Sequence, residues 1–226
     1  RPRYSPRTSS SARRMVRTSP GRWRDTRSQA RTSSSQRGRE SSRVSAVYQA
    51  ASRKSFIAAL KDVPEIWEIF YDENPPKVYS GFLHNYEKDI EEGLAEKGRF
   101  PVRRIAVEEP LDDFFFDPPY RNLIGSSRDG GKGVVVNLDV GRPIATVDLP
   151  GLPHLGSGIS WNWQGHPVMA TPHLKEAAVS VIDLKTWKPI KRIETQGSGF
   201  FMRGHENSPY AWTDMSLSPR KDTLLI

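Results

Sequence analysis

Two stretches of this chain repeat each other at an offset of about forty-six residues, and that spacing constrains the fold more than any other feature. Asn137-Leu138-Asp139-Val140-Gly141-Arg142-Pro143-Ile144 aligns with Asp183-Leu184-Lys185-Thr186-Trp187-Lys188-Pro189-Ile190. Each half is a β-rich run, a polar turn, Pro-Ile and a second β-rich run, Ala145-Thr146-Val147 or Lys191-Arg192-Ile193. Each then meets glycine, at Gly151 and Gly197. A period of this length is that of one four-stranded propeller blade.

Each half also delivers a histidine in a glycine-flanked loop after its outer hairpin. These are His154, in Pro153-His154-Leu155-Gly156-Ser157-Gly158, and His205, in Arg203-Gly204-His205-Glu206-Asn207. Propeller loops of one face converge on the central channel, so the repeat predicts both histidines over one ligand. The segments PHLGSGISW (153–161), VMATPHLKE (168–176), VSVID (179–183) and FFMRGHENSPYAW (200–212) resemble the haem d1 propeller family. That family includes cytochrome cd1 nitrite reductase and the NirF- and NirN-type proteins of haem d1 assembly. The resemblance runs from about Ser42 to Ile226, through VSAVYQA (44–50) and ALKDVPEIWEI (59–69), with the motifs in the family's order.

A ring of seven or eight blades needs roughly 300 residues or more at about forty to forty-five per blade. With 226 residues, starting on Arg1 and stopping in the apolar Leu224-Leu225-Ile226, the chain reads as a fragment. The expected fold is therefore all-β: an incomplete β-propeller, three to four blades of an eight-bladed-type ring over 41–226. Cysteine is absent, which excludes disulfides, thiolate metal sites and a C-x-x-C-H haem attachment within this stretch. No apolar run reaches the length of a membrane-spanning helix.

The net charge of +8 is unevenly spread. Arg1 to Arg43 hold thirteen arginines against Asp25 and Glu40, a balance of +11, and the remaining 183 residues carry −3. Residues 1–40 lack the aliphatic side chains to offset ordering entropy and are expected to be disordered. A basic arm for nucleic acid, with Trp23 available to stack, is the functional reading of that stretch. The preferred reading is different: 8–40 as a frame-shifted remnant of blade sequence, with no nucleic-acid partner.

From Ser41 onward, alternation marks strands at 43–48, 55–60, 66–71, 100–107, 111–116, 122–127 and 134–136. Pro64 suggests a bulge or a sheet edge. The acidic run 86–97 reads as a short surface helix ending at Gly98. Three acids around three phenylalanines (Asp112, Asp113, Asp117; Phe114 to Phe116) read as an inner strand and an Asp-Pro turn rather than a metal site. Gly130-Gly131-Lys132-Gly133 lacks Walker spacing and reads as a hairpin turn.

What the resemblance implies about chemistry falls on a few residues. His154 and His205 match distal-pocket motifs, where an imidazole can ligate iron or give a proton to a bound ligand. Gly156 lets backbone approach a large planar ring. Arg203 suits the carboxylates of a d1-type macrocycle. His173, in Thr171-Pro172-His173-Leu174, matches a family motif and is a further cofactor-side candidate. No other metal site is expected. The implied function is haem d1 or dihydro-haem d1 binding in haem d1 biosynthesis for denitrification, an oxidoreductase-type role of the NirF/NirN branch in the periplasm. Its implied partners are other haem d1 biosynthesis or nitrite reductase proteins. The alternatives are the d1 domain of nitrite reductase, reducing nitrite to NO, and a propeller serving only as a protein-binding platform. The family's proximal histidine and c-type haem domain have no counterpart here, so haem d1 binding by this stretch alone is not expected.

Overall fold

The apolar runs fold as antiparallel strands joined by short turns. The computed structural model describes residues 41–85, 90–96, 98–127 and 131–219. Apart from Ser41, these fall in one unit, Ser42–Ile226. The arginine-rich arm at 1–40, with its expected disorder and reading-frame damage, lies outside the described residues, as does the run at 224–226.

The first sheet holds β1 (Val44–Ala50), β2 (Ser55–Leu60), β3 (Glu65–Phe70) and β6 (Val102–Ala106), in that order. Inserted before its last strand is a separate hairpin, β4 (Tyr79–Asn85) and β5 (Ile90–Ala95). The second sheet is β7 (Asp113–Phe116), β8 (Asn122–Ser126), β9 (Lys132–Asn137) and β10 (Arg142–Asp148). The third is β11 (Ile159–Trp163), β12 (His166–Pro172), β13 (Ala178–Asp183) and β14 (Pro189–Glu194). Finally β15 (Met202–Gly204) and β16 (Ala211–Thr213) pair as the start of another sheet. This is an incomplete β-propeller of three full blades and the first hairpin of a fourth.

The sequence repeat corresponds to the third and fourth strands of the second and third blades. Asn137 accepts hydrogen bonds from the N–H groups of Asp139 (3.0 Å) and Val140 (3.1 Å). Asp183 accepts the equivalent pair from Lys185 and Thr186, both at 2.8 Å. Each is a side chain that closes its own turn. The turns end in the left-handed region at Gly141 (φ 66°) and its counterpart Trp187 (φ 58°). Trp187 tolerates that strained backbone because its indole is buried in the core between the second and third blades. Both outer strands then slip by one residue beside their proline, leaving Ile144 and Ile190 as equivalent extra residues.

Apolar cores fill the spaces between successive blades. Ile57, Ile66, Ile105, Phe114, Leu123 and Leu138 join the first blade to the second. Ile124, Val135, Leu149, Leu155, Met169 and Ile182 join the second to the third. A polar clamp adds to the first junction. Glu68, fully buried in β3, accepts from Arg53 (2.9 Å), from Arg103 and from the Ser55 hydroxyl (3.0 Å). Both arginines continue to the Leu138 carbonyl, and Arg53 reaches the Asp139 carboxylate at 2.7 Å.

Two expectations are corrected. The acidic run contains β5, not a helix: charges fall on both sides of Gly93, and Gly93 lies where a Cβ would strike the Tyr79 ring of the partner strand. Pro64 marks neither a bulge nor an edge. It sits in the turn before β3, an internal strand, where it needs no N–H, and its carbonyl accepts the Val107 N–H at 3.0 Å.

Candidate functional site

The first strands of successive blades bring polar groups from distant parts of the chain to one place. β1 contributes Tyr48, β7 contributes Asp113, and the connection from β10 to β11 contributes His154 and Gly156. The Tyr48 hydroxyl donates to Asp113 Oδ1 at 2.8 Å, and the Gly156 N–H donates to Asp113 Oδ2 at 2.6 Å. Burial, followed by the charge and hydrogen bond of Asp113, pushes the Tyr48 phenol far above its usual range. Asp113 itself is buried, while the His154 side chain retains 27% of its exposure.

His154 is held by its backbone and by its ring. Its N–H donates to the Pro172 carbonyl at 2.9 Å, and Leu155–Ser157 form a single 3-10 turn directly after it. Its Nδ1 contacts the Phe200 carbonyl oxygen. A carbonyl only accepts, so Nδ1 carries the proton of the neutral ring and Nε2 holds the lone pair. Nε2 lies 3.9 Å from Asp113 Oδ2, too far for a hydrogen bond. The rings of Phe200 and Phe201 meet the imidazole edge-on, at 6.0 and 6.2 Å between centroids. Asp214 fixes the backbone of both phenylalanines by accepting their N–H groups at 2.8 and 2.6 Å.

Beside this cluster is an open hollow of about 420 Å³, lined by Tyr48, Phe114, Phe116, Tyr120, Gly156 and Ser160, among others. Its walls are aromatic and its floor includes glycine, which suits a flat, largely apolar ring. Gly156 is required there for a reason the sequence did not show. A Cβ on it would run into the Tyr48 hydroxyl and Asp113 Oδ1, so the glycine admits those side chains.

The two histidines do not occupy repeat-equivalent positions in the fold. The repeat counterpart of His154 is Phe200, before β15, whereas His205 follows β15 at its far end. His205 is exposed and accepts the Asn207 N–H at Nδ1, 3.1 Å away. Arg203 is exposed between them, with its guanidinium 5.9 Å from the Phe201 ring centroid and donating to the Met202 carbonyl.

His173, expected on the cofactor side, has no accessible surface. Its Nε2 meets the Ser180 hydroxyl at 2.8 Å, and its backbone bridges Pro153, immediately before His154. Burial, helped by Arg192, holds its imidazole below the usual range against the opposing pull of the Pro150 carbonyl and Glu176. It supports the His154 loop from behind and presents no atom to a ligand. Sequence reasoning missed Tyr48, and it read Asp113 only as part of an inner strand and not as a site residue. Their only sequence signal was a polar residue facing inward on a blade's first strand, and alternation alone does not distinguish that from a solvent-facing position. Among the described residues no group of three or more histidine, cysteine or acidic side chains is arranged to hold a metal ion.

Comparison with known proteins places these features in context. The family model described as the cytochrome D1 heme domain matches residues 26–226, so the match begins inside the arginine-rich arm. Dihydro-heme d1 dehydrogenase of Pseudomonas aeruginosa is 47% identical over 187 residues, covering 83% of this chain and 33% of that protein. The solved structure of dihydro-heme d1 dehydrogenase NirN in complex with DHE superposes with a TM-score of 0.71 at 45% identity. It covers 85% of this chain and 36% of its own. The chain thus spans about a third of the length of the relatives it matches.

Proposed function

Because the chain belongs to the cytochrome d1 haem domain family, we propose that it forms part of a dihydro-haem d1 dehydrogenase acting in haem d1 assembly for denitrification. Residues 41–226 are its d1-type propeller portion, and its working compartment is the periplasm. No helix among the described residues is long and apolar enough to cross a membrane. Its partners are dihydro-haem d1 as substrate and other proteins of haem d1 assembly or nitrite reduction.

The observation that carries this reading is the state of His154. Its Nδ1–H is committed to the Phe200 carbonyl, and among the described residues no hydrogen bond occupies Nε2, whose lone pair can accept a proton. The substrate's macrocycle and iron supply the electron chemistry; this chain supplies shape, orientation and a proton acceptor. The hollow between Tyr48, Phe114, Phe116 and Gly156 takes the apolar face of the ring. Arg203, free of any carboxylate partner among the described residues, pairs with a ring carboxylate. The Phe200–Phe201 pair keeps water from one side of His154. His205, in the turn after β15, is the second acid–base candidate.

The test is conversion of dihydro-haem d1 by full-length protein, followed by absorption. His154→Ala is expected to fold like the parent and to lower conversion about a hundredfold, the usual loss for a positioned acid–base group. Parent-like conversion removes His154 from the mechanism. A parent protein that binds no tetrapyrrole at all supports the protein-binding platform instead.

A further inference from the structure

We propose that Asp113 is the positioning residue of the His154 loop, clamped from two blades so that its carboxylate faces the proton-accepting nitrogen. The geometry uses both carboxylate oxygens. Oδ1 is fixed by the Tyr48 hydroxyl of the first blade, and Oδ2 by the Gly156 N–H two residues beyond His154. The same Oδ2 lies 3.9 Å from His154 Nε2. The two groups are therefore close without being hydrogen-bonded.

The arrangement has a definite electrostatic consequence. When His154 is neutral, its Nε2 lone pair faces a carboxylate, which gives no attraction. When Nε2 takes a proton, its new N–H stands 3.9 Å from a carboxylate oxygen, so the pairing turns from repulsive to attractive. In that step the donor's bond to hydrogen breaks, its electron pair stays on the donor, and the proton forms the Nε2–H bond. The other charged groups flanking this site are Asp214, which is occupied by Ser216 and the Phe200 and Phe201 N–H groups, and Arg203 over Phe201. Among the described residues, neither hydrogen-bonds or ion-pairs with His154 Nε2. Asp113 is the carboxylate that faces it.

A second consequence is mechanical. Gly156 stands in the 3-10 turn that follows His154, so fixing its N–H fixes the loop that carries the imidazole. No side chain fits at Gly156 while Tyr48 and Asp113 are in place. Tyr48, Asp113 and Gly156 therefore form one unit spanning three blades. An asparagine at 113 has one acceptor oxygen in place of two and cannot hold both anchors as the carboxylate does.

The inference rests on the dehydrogenase reading only for its effect on turnover. The test uses full-length protein as parent, Asp113→Asn, Tyr48→Phe and His154→Ala. Asp113→Asn is expected to speed hydrogen exchange across 152–158 tenfold or more, with β8 and β9 unchanged. It should lower dihydro-haem d1 conversion about ten- to a hundredfold, as small misplacements of reacting groups do. In the same variant the Tyr48 phenol should ionise at a lower pH than in the parent, read by phenolate absorption with Tyr48→Phe as the blank. Unchanged loop exchange and unchanged Tyr48 titration in folded Asp113→Asn protein overturn the proposal. Should Asp113→Asn not fold, Tyr48→Phe decides. Faster exchange across 152–158 supports the clamp, and parent-like exchange overturns it. Parent-like conversion by His154→Ala sinks the dehydrogenase reading while leaving the exchange and titration results to judge the clamp.

Discussion

His154 and Phe200 hold equivalent places in successive blades, and the contact between them shows how one repeat supplies two different functions. In the second-to-third blade connection the residue is an imidazole; one blade later it is a phenylalanine whose carbonyl fixes that imidazole's tautomer. His205 belongs to another part of the blade, the turn between its first two strands. Two consequences follow for mutagenesis. Because no hydrogen bond or ring contact joins His154 to His205 among the described residues, free-energy losses in conversion from His154→Ala and His205→Ala should add, within about 0.5 kcal/mol. A double variant no worse than the more damaging single one would show that they share one step. Gly156→Ala should destabilise the protein by about 1–3 kcal/mol, because its Cβ overlaps the Tyr48 hydroxyl. Thermal unfolding of Gly156→Ala alone and together with Tyr48→Phe separates this from a general loop effect. Removal of the hydroxyl should recover part of the loss.

At the scale of strands and turns, buried polar groups decide more than apolar pattern does. Glu68 sits in the middle of β3 with no exposure, and its charge is tolerated because Arg53, Arg103 and Ser55 surround it. Glu68→Ala leaves two guanidinium groups facing each other beside the Leu138 carbonyl. That change should cost about 3–5 kcal/mol, measured by denaturant unfolding, with the arginines' partial exposure favouring the lower figure. His173 works in the opposite sense. Its folded-state imidazole is held below the ordinary value, so as pH falls below about 6.5 the unfolded chain binds a proton that the folded chain does not. Stability should therefore decline from about pH 6.5 downward and level off once the folded imidazole protonates. A second decline belongs below about pH 4, where Asp139, Asp183 and Asp214, all held low in the fold, begin to protonate in the unfolded chain first. Unfolding midpoints of the parent and His173→Gln between pH 7.5 and 5 would check the first step. Two profiles of the same slope would remove His173 as its source.

For the molecule as a whole, the repeat was enough to read blades from sequence, because Asn137 and Asp183 close equivalent turns and Pro143 and Pro189 start equivalent outer strands. The functional cluster was only half legible. His154 and Gly156 stand in a conspicuous glycine-flanked loop, but Tyr48 and Asp113 come from strands 65 residues apart, and nothing local marks them as partners. The run containing β5 was misread for a related reason: hairpin pairing with β4 decided its form, and short charged segments carry little period of their own. Trp161 and Trp163 of β11 and Ile190 and Ile193 of β14 remain exposed. They line an apolar groove of about 220 Å³ with Val179, Val181 and Met202. Among the described residues, β15 and β16 alone stand against that side of the third blade, with Met202 joining its core. A contiguous apolar surface of this kind promotes association. The 226-residue chain expressed alone should therefore bind an apolar dye and self-associate as its concentration rises, read by dye fluorescence and sedimentation. Trp163→Glu with Ile193→Lys should reduce both signals without altering the Asn137 and Asp183 turns. Dye-free, monomeric behaviour of the parent chain across the same concentrations would mean that this face is covered from within the chain itself.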